Sequence, residues 1–93
     1  MNNLFISYDL HAPGRSYDRV IETIKKLGNW AAVNQSMWYV RSRYNSESAV
    51  AALRQAGDSN DSFCVIDATN NNAHWYNIDQ KVAEQIQMNW RAN

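Results

Sequence analysis

Asp9 and His11 are the residues in this chain whose types and spacing could do acid–base or metal chemistry. Mg2+ takes hard oxygen ligands, keeps several waters and needs only one or two carboxylates. One Asp9 from each of two subunits would meet that need and activate a water for phosphodiester attack. His11, two residues on, could serve as general base or second ligand. The plainer alternative has Asp9 capping the following turn and His11 solvated. Ser36 lacks an evident His–Asp partnership, so it reads as a residue satisfying strand-edge backbone groups rather than as a nucleophile.

A second set of residues suits ligand binding. Arg41 and Arg43 alternate with Tyr39 and could grip a phosphate, or pair with Asp67 as a salt-bridged surface. His74-Trp75-Tyr76 follows Asn70-Asn71-Asn72 and offers amides, an imidazole and two π-faces, which suit stacking and edge-reading of a nucleobase. The same aromatics could instead fold onto the sheet edge or a second subunit. Cys64 sits among apolar residues, where cysteine acts as a small hydrophobe. A single cysteine with His11 and His74 builds neither an internal disulfide nor a metal cage.

Ninety-three residues make one domain, 1–93. Nine basic and nine acidic residues give no formal net charge, which argues against binding nucleic acid mainly through phosphate neutralisation. The longest apolar run, Ala49–Leu53, is far short of the roughly 20 residues that span a bilayer, so no membrane partner is expected. No basic n-region or apolar h-region opens the sequence, and the expected location is cytoplasmic. Twelve asparagines, four tryptophans and five tyrosines are many for this length. A domain this small hides only part of that aromatic area, leaving some for a partner or ligand.

The elements that must position these residues follow from periodicity. Asn3 to Asp9 alternates as a strand, with Leu4, Ile6 and Tyr8 on one face and Phe5, Ser7 and Asp9 on the other. His11-Ala12-Pro13-Gly14 reads as a turn. Tyr17, Val20, Ile21, Ile24 and Leu27 recur at helical spacing, with Ser16 as N-cap and Gly28 as stop. Trp30–Val33 predicts a short strand and Asn34-Gln35 a turn. Ser36–Arg43 predicts a strand with Trp38 and Val40 opposite Met37, Tyr39 and Arg41. Asn45 or Ser46 caps a helix through Ala49, Leu53 and Ala56, which Gly57 ends. Phe63–Ile66 reads as a buried strand and Asn70–Asn77 as a polar loop. From Ile78, Val82, Ile86 and Trp90 at i, i+4 and i+8 suggest a terminal helix.

This β-α-β-β-α-β order predicts an α+β, ferredoxin-like antiparallel sheet with a C-terminal helical segment over 78–93, packed or exchanged in a dimer. Strands one and three lie at its centre. Asp9, Ser36 and the region of Asp61 then share one sheet end. The face away from the helices, read as Phe5, Met37, Tyr39, Phe63 and Val65, needs cover. The expected homodimer interface therefore comprises Phe5, Met37, Tyr39 and Val65 together with the tail.

Ile6-Ser7-Tyr8-Asp9-Leu10, Lys25-Lys26-Leu27-Gly28 and Val33-Asn34-Gln35-Ser36-Met37-Trp38 resemble the second CRISPR-associated adaptation protein family. Its stand-alone VapD- and SinR-like relatives come closest. The motifs cover roughly Leu4 to Val40, and the remainder agrees in element order. The resemblance implies a ferredoxin-like homodimer with Asp9 as ligand for a divalent metal in an endonuclease. Tyr8 and Ser36 are the matched neighbours, and RNA or DNA is the implied partner. The family's basic residue before its Val-Gln pair falls at Ala31 or Ala32, its Gln at Asn34, and much of its basic surface is missing. Those departures weigh against partnership with an adaptation integrase. The expected function is thus a nucleic-acid-related homodimer acting as a Mg2+-dependent endoribonuclease. The alternatives are a non-catalytic interaction protein, in toxin–antitoxin, phage counter-defence or scaffold roles, or a small-nucleotide binder.

Overall fold

The computed structural model describes residues 1–11, 17–69 and 72–90, with the side chains of 85, 86, 88, 89 and 90 left out. The order is β1 (Asn2–Asp9), α1 (Tyr17–Lys26), β2 (Gly28–Asn34), β3 (Met37–Ser42), α2 (Ser46–Ala56), β4 (Ser62–Asp67), β5 (Asn72–Tyr76) and α3 (Gln80–Trp90). The five strands form one antiparallel sheet in the order β2-β3-β1-β4-β5. The arrangement is α+β and compatible with the ferredoxin-like expectation for β1 to β4. It departs in strand count and order because β5 extends the β4 edge. Asn72–Tyr76, read from sequence as loop, pairs along β4 from Phe63↔Tyr76 to Asp67↔Asn72.

Alternation along β1 divides the sheet into two faces. Leu4, Ile6 and Tyr8 point into a core shared with Val20 and Ile24 of α1, Val50 and Leu53 of α2, and Trp38, Val40, Phe63 and Val65 of the neighbouring strands. α1 covers this face because Val20, Ile24 and the half-buried Ile21 lie on one stripe at helical spacing. Asn45 caps α2 reciprocally: its side chain accepts from the Ser48 amide, and the Ser48 hydroxyl accepts from the Asn45 amide. The Ser16 cap and the turn through Pro13 and Gly14 lie outside the described residues.

β4 has the opposite phase from the sequence expectation. Phe63 pairs with Tyr8 and Val65 with Ile6, so both are fully buried against the helices. Val65 therefore cannot line an open-face interface. Cys64 and Ile66 take the open side instead. Every position of Phe63-Cys64-Val65-Ile66 is apolar, and an unbroken apolar run carries no alternation from which to read its phase.

Gly57 closes α2 where no side chain fits. A Cβ there would lie 2.8 Å from the Phe63 ring and 2.9 Å from an Asp61 carboxylate oxygen. The α3 start is capped by Asp79, whose side chain accepts from the Lys81 amide. Val82 of α3 is exposed, and the expected burial of Ile86 and Trp90 lies outside the described residues.

Candidate functional site

The sheet end predicted from sequence is assembled as expected. Asp9 pairs with Ser62, and the Tyr8 amide donates to the Ser36 carbonyl at 3.2 Å. The Tyr8 hydroxyl donates to the Gln35 carbonyl at 2.9 Å and accepts from Trp38 Nε1 at 3.3 Å. These bonds hold the β2–β3 turn against the end of β1. Asp9 and His11 meet there, with Nε2 3.4 Å from Oδ2 and side chains 75% and 50% exposed.

Asp61 organises this end, a role that sequence reading missed. It is fully buried, and its carboxylate accepts from the His11 amide at 2.8 Å and the Asp58 amide at 2.7 Å. One oxygen thus fixes the segment leaving β1, and the other closes the turn before β4. The local spacing Asp58-Ser59-Asn60-Asp61 signals a turn but not the contact to His11, fifty residues away.

As a metal centre the end offers limited chemistry. Asp9 supplies a free-standing carboxylate and His11 an imidazole, while the Asp61 carboxylate is engaged by backbone donors. Among the described residues no group of three or more His, Cys, Asp or Glu side chains comes together. One Asp9 fits Mg2+ only where waters, substrate phosphates or a second subunit complete the shell.

The open face carries a different arrangement. Register places Phe5 on the central strand β1 directly opposite Tyr39 on its neighbour β3, with ring centroids 5.4 Å apart and planes at 53°. Ala31 and Ile66 continue this row outward on β2 and β4. A second row runs Met37, Ser7, Cys64, Trp75. A third holds Asn29, Arg41 and Asn3, and the Tyr39 hydroxyl donates to Asn3 Oδ1 at 2.7 Å. Arg41 is exposed, and so is Arg43 just beyond β3. Neither forms a salt bridge among the described residues. Asp67, their expected partner, lies on the helix-facing side, where it is buried and accepts from the Thr69 amide.

The predicted site residues therefore fall into separate groups. Asp9, His11, Tyr8 and Ser36 share one sheet end. Arg41 and Arg43 lie at the other, roughly 20 Å away along six residues of β1. His74 and Trp75 occupy the β5 edge opposite Val65 and Cys64, so successive residues face opposite sides of the sheet and do not form one base-binding loop.

No protein-family model matches the chain, and neither does any curated protein or solved structure. The reading of the site rests on its own geometry.

Burial disfavours the ionisation of two groups. Desolvation pushes the Cys64 thiol above 9.0, and desolvation, partly offset by the Trp38 hydrogen bond, pushes the Tyr8 phenol above 10.0. Both groups stay neutral longer when folded than when unfolded. Above the unfolded values the native state holds more protons, so stability falls with rising pH. These contributions are complete below about pH 9. Urea titrations should show stability declining from there upward, and Cys64→Ala should flatten the first part of the decline. A flat profile in the wild type between pH 8 and 11 would contradict this account.

Proposed function

We propose that the protein binds single-stranded nucleic acid, RNA foremost, on its open sheet face. The observation that carries this reading is the Phe5–Tyr39 pair on the adjoining inner strands β1 and β3, with an exposed Arg41 two residues along β3 that forms no salt bridge among the described residues. Four-stranded sheets of RNA-recognition modules stack two or three bases on aromatics of this kind. Stacking accepts any base because each has a π-face, so sequence preference is expected to be weak. Arg41 and Arg43 are exposed and give the end of this face two guanidinium groups that can contact the phosphates of a polyanion. With zero net charge, affinity rests on stacking more than on phosphate contacts.

Fluorescence anisotropy with a labelled oligo-uridine at low salt should detect binding. Phe5→Ala and Tyr39→Ala should each weaken it by about 1–3 kcal/mol, roughly 5- to 150-fold in Kd. Arg41→Ala should lower the dependence of log K on log salt by about one. Undiminished affinity in the Phe5→Ala, Tyr39→Ala double variant would remove the reading.

A second reading is favoured by the Asp9–His11 contact: phosphodiester cleavage at the sheet end, with Mg2+ held by Asp9 and completed by substrate phosphates. Cleavage of the bound RNA should then require Mg2+ or Mn2+ and vanish in Asp9→Asn without loss of RNA affinity. Intact RNA after prolonged incubation with both metals would leave a binding protein alone.

A further inference from the structure

We propose that β2 is a self-pairing edge, and that two copies of the chain join antiparallel along Trp30–Ala32, about a two-fold axis at Ala31, into one continuous ten-stranded sheet. β2 ends the strand order, with no described strand outside it. Every residue from Asn29 to Asn34 is exposed, including Trp30 at 46% and Val33 at 53%. The outer backbone groups of such a strand are a template for another strand, and proteins usually block it with charge, proline or a covering segment. Gly28-Asn29-Trp30-Ala31-Ala32-Val33-Asn34 has neither charge nor proline. The one irregularity, between Ala32 and Asn34, ends the regular stretch and limits pairing to the residues before it.

Charge identifies the occupant. A second copy brings the same charges to the junction as the first, so a charged strand would repel itself. β2 has no charge, and the chain as a whole has no net charge. The neighbouring cations lie off the strand itself: Lys25 sits 4.7 Å over the Trp30 ring, and Arg41 is the register partner of Asn29 one strand in from the edge. Steric fit points the same way. A two-fold axis normal to the sheet at Ala31 brings methyl groups together on the open side. On the helix side it sets Trp30 opposite Ala32, where the indole, packed against Trp38 at 5.3 Å, gains cover for its exposed part. The opposite edge also carries no Asp, Glu, Lys, Arg or Pro, but it is less open, with Ala73 to Tyr76 half-buried. In β5, Tyr76 lies under Arg54 at 4.2 Å and donates to the Ser59 carbonyl. This junction goes beyond the nucleic-acid reading and does not depend on it, because it leaves the Phe5–Tyr39 face uncovered.

Light scattering from micromolar to near-millimolar concentration should show the mass rising from 10.7 kDa toward twice that value. Ala31→Lys and Ala31→Glu should each stay monomeric where the wild type pairs, and an equimolar mixture of the two should regain the dimer mass. Ala32→Lys should repeat the monomer result, with circular dichroism reporting that each variant is folded. Phe5→Ala, on the open face two strands in from this edge, should leave the dimer intact while weakening oligo-uridine binding. A wild type that stays monomeric throughout, a mixture that fails to regain mass, or a dimer broken by Phe5→Ala but not by Ala31→Lys would overturn the proposal.

Discussion

The alternation of β1 is the constraint on which the rest of the structure depends. β1 is hydrogen-bonded on both sides, to β3 and to β4, and its even-numbered residues Leu4, Ile6 and Tyr8 form the centre of the core. With those three buried, Phe5, Ser7 and Asp9 must face away from the helices. A slip of one residue would exchange the sets, exposing two aliphatic side chains and burying a carboxylate, so the register is strongly specified. Fully burying Leu4 and Ile6 contributes about 1.5–3 kcal/mol each, which is large against the total stability of a small domain. The core and the candidate binding face are thus two consequences of one choice.

The sheet end adds a second, polar constraint. Asp61 holds the segment after β1 and the turn before β4 with charge-assisted bonds, each stronger than its neutral counterpart. Gly57 leaves the space for that carboxylate beside the Phe63 ring. Asp9 and His11 meet in the open because Asp61 has fixed the backbone between them from beneath. This division of labour separates a buried structural carboxylate from an exposed one available to a ligand.

The legibility of the fold in the sequence varied with the strength of each local signal. Polar residues mark the outward side of β1 at Ser7 and Asp9 and of β3 at Arg41, so their faces and the Phe5–Tyr39 neighbourhood could be read without coordinates. α1 was equally plain from its apolar spacing. β4 was placed correctly but with its faces reversed, since four consecutive apolar residues carry no phase. Its phase is set by pairing with Tyr8 and Ile6. β5 was hidden by the asparagines at and around it in the sequence, which favour turns locally; Asn72, the one within the strand, is held there by pairing with Asp67 of β4. The grouping of Asp9 with Ser36 followed from topology, whereas Asp61 could not be linked to His11 because that bond depends on a contact far away in sequence.

The central claim is that the open face of β1 and β3 is where the ligand sits. Photo-crosslinking with 4-thiouridine-substituted oligonucleotide, read by mass spectrometry of the digested protein, tests it most directly. The account predicts adducts on Phe5 and Tyr39 and on peptides carrying Met37 or Arg41, with none on the α1 and α2 surfaces. Adducts confined to the helices, or to His74 and Trp75 at the far edge, would contradict it.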